Sequence, residues 1–309
     1  MAALEVQAVH TFTGHRGSVY VLSEAEEENT FYSSGSDGTL VRWDLDRPEQ
    51  GLAVAQMDDA VFSMCRDPQS KSLYAGTQKG FLYLIQPSAE IPARKLVLHR
   101  NSVHSLLLSD QKLYSFAADG MMAIWDAETM ELIKVIQISS HKIRAAIKPP
   151  GLSNIFISDG AGRIFTYDPA SDEIKMIIQI EGIRTVFSFL YLPLQDLLWI
   201  GGMDAVIHRY HLAEGIHKLD SIKAHWYTIN SMVYLEPHPW VASASRDKSI
   251  RIWNKEDGSL LKDIAPPKAG AHKHSVNTLL WKKERGLLLS ASDDGSIKSW
   301  KFQTQHDTD

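Results

Sequence analysis

Short runs in which apolar and polar positions alternate, broken at close intervals by Gly, Ser and Asp-Gly, fill this chain from end to end. The first stretch shows the pattern. Ser18-Val-Tyr-Val-Leu22 and Thr30-Phe-Tyr-Ser-Ser34 have strand character, Asp37-Gly38 supplies a tight turn, and Thr39-Leu-Val-Arg-Trp43 reads as the return strand of a hairpin. The acidic run at 24–28 lies between two of these runs and reads as a solvated turn. No segment of comparable length carries a helical period. The pattern predicts about four short strands per unit and an all-β protein.

The unit recurs. Trp43, Ile85, Trp125, Tyr167, Tyr210, Trp253 and Trp300 stand as anchors at gaps of 42, 40, 42, 43, 43 and 47 residues. A period of this size marks one supersecondary unit stacked on copies of itself, each burying its faces against its neighbours. The function is therefore expected on a surface assembled from all seven copies, which moves expectation away from an enzyme.

Two late copies repeat the details. Ala224-His-Trp-Tyr-Thr-Ile229 precedes Ala242-Ser-Ala-Ser-Arg-Asp-Lys-Ser-Ile-Arg-Ile-Trp253, and Ala271-His-Lys-His-Ser-Val276 precedes Leu289-Ser-Ala-Ser-Asp-Asp-Gly-Ser-Ile-Lys-Ser-Trp300. With Gly14-His15 at the opening and Trp43-Asp44 at the close of the first copy, the chain resembles the WD-repeat β-propeller family over roughly residues 5–302. The resemblance implies an all-β, seven-bladed propeller of four-stranded blades around a central channel. It implies a single domain over 1–309, with repeats at about 13–50, 57–90, 97–132, 139–175, 182–215, 223–260 and 271–303. The last copy is one strand short, so the segment 5–12 is expected to complete that blade and close the ring.

Four repeats carry His, Ser, Asp and Trp at matching offsets. They are His15, Ser33, Asp37 and Trp43; His99, Ser115, Asp119 and Trp125; His225, Ser243, Asp247 and Trp253; and His272, Ser290, Asp294 and Trp300. These are the residue types of a hydrolase triad, but a triad needs one exposed serine beside an oxyanion hole. A set that recurs in four places is architecture. The family pattern implies a polar chain in which aspartate accepts from histidine, histidine engages serine, and serine accepts from the indole N–H. Repeat two has Met57, Lys79 and Ile85 at those places, repeat four has His141, Ala161 and Tyr167, and repeat five has Gly182, Asp204 and Tyr210. These three are expected to be held mainly by apolar packing.

The same resemblance implies that the loops entering the innermost strands and the turns beside the aspartates open on one face, the family's usual partner surface. Tyr20, Phe62, His104 and Phe187 fall there, as do Lys142, Arg144, Arg184 and Arg246. Aromatics at a rim suit an apolar anchor of a partner. The basic group suits a carboxylate-rich or phosphorylated segment. The structural counterparts are aromatics that plug the channel and basic residues that are solvated or paired. The connection Ile264-Ala-Pro-Pro-Lys-Ala-Gly270 reads as a tolerated insertion, with a wall of the site as the alternative.

Composition removes several other classes. A formal charge of −5 and a pI near 6.2 leave no global basic field, so nucleic acid is disfavoured and only a local patch from Lys142 to Arg246 would serve it. Cys65 is the single cysteine, which excludes an intramolecular disulfide. Met1–His10 does not read as a secretory leader and no stretch approaches a membrane span, so the expected location is cytoplasmic, with the nucleus left open. His208 and His211 sit three apart on a strand and diverge, His272 is committed to its polar chain and so does not share a metal with His274, and Cys65 has no ligand spacing. No catalytic residue, metal or cofactor is expected. The Trp-Asp-x-Arg close that would imply docking to a ubiquitin-ligase adaptor is missing, since Leu45-Asp46-Arg47 comes after Trp43-Asp44. The expected function is a non-catalytic scaffold, monomeric by itself, presenting its face to a protein or peptide. The alternatives are a channel-mouth enzyme or small-molecule binder, which would need several acids, bases or metal ligands to converge, and an RNA or DNA binder using the basic patch.

Overall fold

The computed structural model describes residues 4–88, 91–213, 215–268 and 270–303. Within them the chain forms seven antiparallel sheets of four strands each, and one 3₁₀ turn at Lys283–Arg285 is the sole helical element. The innermost strands are Val19–Glu24, Val61–Arg66, Val103–Ser109, Ile143–Ile147, Val186–Leu192, Ile229–Tyr234 and Val276–Lys282. Each touches the innermost strands of both neighbours, and the seventh touches the first. The seven-bladed propeller is therefore a closed ring.

Closure is made by the N-terminal strand Glu5–Thr13, which pairs antiparallel with Ser296–Gln303 as the outermost strand of blade seven. Phe12 from that strand is buried and meets Phe31 and Trp43 of blade one edge-on. The first and last blades are thus sewn to each other by both hydrogen bonds and aromatic packing.

The core lies between blades. Seven apolar clusters each join two neighbouring blades, such as Phe31, Val41 and Trp43 with Leu287, Leu289 and Ile297 across the seven–one boundary. Second strands such as Thr30–Gly35 and Trp240–Ser245 are buried at every residue because a blade covers each face. At the end of the blade-one strand, close approach demands glycine. A Cβ on Gly35 would meet the Ser18 carbonyl oxygen at 2.0 Å.

Every innermost strand carries a β-bulge one residue after its first apolar residue. The pairing skips Tyr20, Phe62, His104, Arg144, Phe187, Asn230 and Asn277 in turn. A bulge bends the strand and re-aims a side chain. Seven bulges at one level build one ring of side chains.

The outermost strands end later than the repeat bounds read from sequence, at Gln56, Val97, Gln137, Gln179, Lys223 and Ile264 for blades one to six. Their outer faces meet solvent, as in Arg47–Gln56, so the apolar alternation that marks a strand is lost there. In the connection 264–270, Ala269 lies outside the described residues, and Gly270 packs toward Ala8 of the closing strand.

Candidate partner face and channel

The seven bulged residues line one cavity along the ring axis, of about 500 Å³. On one side they hold each other. Tyr20 meets Phe62 edge-on at 5.2 Å between centroids, and Phe62 stacks on His104 at 5.4 Å. Arg144 Nη1 lies 2.7 Å from His104 Nε2, and the guanidinium sits 4.6 Å from the centre of the Phe187 ring. On the other side amides stitch blades together. Asn230 Nδ2 donates to the Val276 carbonyl at 2.8 Å and Asn277 Nδ2 to the Val19 carbonyl at 2.9 Å. Burial, with the Arg144 and Lys142 charges adding, pushes the His104 pKa down to about 3. His104 is a neutral acceptor for Arg144 at ordinary pH.

The eight residues singled out from sequence therefore separate into two sets. Tyr20, Phe62, His104, Arg144 and Phe187 belong to the channel wall. Lys142 stands exposed at the mouth beside them. Arg184 and Arg246 are exposed in the loops of blades five and six. None of Lys142, Arg144, Arg184 and Arg246 forms an ion pair among the described residues.

In the four complete repeats the polar chain runs from indole to carboxylate. In blade six, Trp253 Nε1 donates to Ser243 Oγ at 2.8 Å, that hydroxyl lies 2.7 Å from His225 Nε2, and His225 Nδ1 lies 3.1 Å from Asp247 Oδ2. Blades one, three and seven repeat the contacts through Ser33, Ser115 and Ser290. Burial opposes ionisation of Asp247, but His225, Ser249 and the Trp226 N–H outweigh it and hold the carboxyl well below the usual range. The same balance lowers Asp37, Asp119 and Asp294. Each serine is buried and shared between an indole and an imidazole, which leaves it no access to a substrate.

The three degraded repeats carry polar networks of their own beside the apolar clusters that cover their faces. In blade four Asp159, fully buried, accepts from Arg163 Nε at 2.8 Å and Ser139 Oγ at 2.7 Å. In blade five His208 reaches from the neighbouring strand to Asp204 at 2.7 Å, filling the role left by Gly182. In blade two Asp58 receives Tyr83 and, at 2.6 Å, Lys95, while Asp59 caps the Lys79 N–H. In blades four and five these contacts satisfy buried or half-buried turn carboxylates, whereas in blade two Asp58 is exposed.

The aspartate in each complete repeat also fixes the residue after its histidine. Its carboxylate accepts the backbone N–H of Arg16, Arg100, Trp226 and Lys273 in turn. These four side chains consequently stand exposed on the mouth face. Three are cations and the fourth is a tryptophan that is 81% exposed, next to Tyr227 at 61%. The blade-six loop rests on the blade-five turn through His225 N–H to the Ala205 carbonyl, beside Met203 at 48% exposure. Trp226 and Tyr227 are not among the residues that the sequence pattern marks for the face. Comparing the residue after each histidine across the four repeats is the signal that would find Trp226.

The geometry is that of a WD-repeat propeller, and the comparisons agree. Residues 6–44, 217–254 and 267–301 match the family model described as WD domain, G-beta repeat, so the chain carries WD40 repeats. The WD40 β-propeller domain of Doa1 superposes with a TM-score of 0.83 over 98% of both chains at 20% identity, which shows the fold. The serine-threonine kinase receptor-associated protein of Gallus gallus is 24% identical over 268 residues, covering 85% of this chain and 75% of the relative. Transducin-like enhancer protein 2 of Mus musculus is 23% identical over 244 residues, 74% of this chain and 30% of the relative. Among the described residues no helix is long and apolar enough to cross a membrane.

Proposed function

We propose that this chain is a non-catalytic protein-interaction scaffold whose mouth face receives an acidic segment of a partner. One observation carries the reading: on that face the turn aspartates are hydrogen-bonded internally, whereas the exposed cations have no acidic partner among the described residues and Glu181, in the blade-five loop, is the exposed carboxylate beside them. Asp37, Asp119, Asp247 and Asp294 are tied to histidines, Asp159 to Arg163, and Asp204 to His208. Asp293 accepts from Asn277. Lys142, Arg184 and Arg246 stay exposed without an acidic partner among the described residues, on the face that also carries the bare rings of Trp226 and Tyr227. Arginine forks take carboxylates and phosphates bidentately, and exposed Trp and Tyr are the residues that most often dominate binding energy. A relative named for receptor association supports an associating role.

The test is selection of a random displayed peptide library on the folded chain. Enriched sequences should combine Asp or Glu with an aromatic or long aliphatic residue, gain from phosphoserine, and lose binding to the Arg184→Glu, Arg246→Glu double variant. Enrichment without acidic bias, or equal binding to the charge-reversed variant, would remove the reading. Tighter retention of a single-stranded oligonucleotide than of any acidic peptide would transfer the face to nucleic acid.

A further inference from the structure

The channel interior has a charge imbalance of its own, separate from the exposed rim. Of the residues lining that cavity, Arg144 alone carries a charge. His104, its hydrogen-bond partner, is neutral, and no carboxylate pairs with the guanidinium among the described residues. Only Nη1 is engaged, leaving Nε and Nη2 without a partner among the described residues. Those two N–H groups form the side-on fork that takes a carboxylate through two parallel hydrogen bonds. The fork is preorganised, because stacking on Phe187 and the bond to His104 fix the guanidinium plane. A partly buried cation with no counter-charge is costly, and burial already pulls the Arg144 pKa down. A structure that retains such a cost is ready for an anion to remove it.

The rest of the cavity narrows the anion's class. Tyr20, Phe62 and Phe187 line the same cavity with their rings, and Asn230 and Asn277 line it with their amide donors already spent on backbone carbonyls and on Ser275 and Asp293. An inorganic anion would gain one fork and leave the aromatic wall unused. About 500 Å³ accommodates a single side chain or a small molecule with an apolar body. We propose that the channel is a carboxylate site, in which Arg144 receives the anion and Phe62 and Phe187 receive an apolar or aromatic body attached to it. The carboxylate belongs either to a free small acid or to the tip of an inserted peptide; the chemistry is shared. This site does not depend on the rim cations, so it stands or falls apart from the scaffold reading.

The experiment titrates the full chain with sodium benzoate, benzamide and inorganic phosphate, watching arginine Nε–H signals by NMR. Benzoate should shift the Arg144 signal saturably and leave Arg184 and Arg246 in place, while benzamide, of the same shape without the charge, binds about tenfold more weakly or worse. Arg144→Gln should weaken benzoate at least about tenfold, and Arg184→Gln should leave it within about twofold. A hexapeptide ending in phenylalanine, as free acid and as amide, separates the sources. Preference for the peptide acid assigns the site to a partner chain, and preference for benzoate assigns it to a small molecule. The wild-type titration needs no variant to fold. Equal binding of benzamide, an equally strong phosphate response at Arg144, or no saturable shift from either benzoate or peptide acid overturns the proposal.

Discussion

Replacing Ser243 by alanine tests whether the recurring polar chain is a shared unit or a set of independent contacts. Ser243 is fully buried, takes the indole N–H of Trp253 at 2.8 Å, and lies 2.7 Å from His225 Nε2. Ser243→Ala deletes both hydrogen bonds and strands a buried indole N–H and a buried imidazole, at an expected cost of about 2–4 kcal/mol in unfolding free energy. The informative comparison is with Trp253→Phe alone and with both changes together. Once the indole is gone it no longer suffers from the missing hydroxyl, so the double variant should cost about 1–2 kcal/mol less than the sum of the singles. Urea unfolding with far-UV circular dichroism as the readout, on the four proteins, gives the cycle. Additivity within about 0.5 kcal/mol would refute the shared-hub reading. So would a Ser243→Ala cost below about 0.5 kcal/mol, the range of an ordinary surface change.

The same structure predicts two further outcomes. The folded-state pKa values of His104 and His225 are both depressed, chiefly by burial, so their neutral forms contribute stability that is present above pH 6.5 and lost as pH falls. For His104 the window runs from 6.5 down to about 3, with a limiting slope of about 1.4 kcal/mol per pH unit. His104→Gln should flatten the fall of the urea midpoint between pH 6.5 and 4.5, and an unchanged slope would count against the assignment. Removing residues 1–13 uncovers Trp300 and the edge of Ser296–Gln303; that variant should elute as soluble aggregate in size-exclusion chromatography, and a monodisperse peak with an unshifted urea midpoint would show that closure is dispensable.

The fold was readable because its signals are local and repeated. Tyr20 to Asn277 share a position in their strands, and each strand announces itself by an apolar residue just before it. What the chain does at that position was not readable. A bulge leaves no mark in composition, so although the repeat places Tyr20, Phe62, His104, Arg144 and Phe187 on one face, their turn into the channel wall emerges only from pairing registers. Asp159 and His208 lie on strands, where no constant offset from an anchor points to them. Trp226 is hidden for a different reason. A tryptophan beside a histidine in a β protein reads as core, and only the carboxylate hold on its own N–H turns it outward.

Ring closure through Glu5–Thr13 and Ser296–Gln303 also sets an order in time. The partners are separated by nearly the full length of the chain; His10 N–H donates to Ser299 across 289 positions. At about 5–20 residues per second, a ribosome would keep the closing strand waiting for roughly 15–60 s before its mate emerges. Blades one to six are able to stack during that interval, each on the blade before it, but the mouth is an incomplete arc until the final strand arrives. Any ligand that bridges blades one and seven of the closed ring, as the Asn277 to Val19 bond does within the chain, recognises only molecules in which the closing pair has already formed.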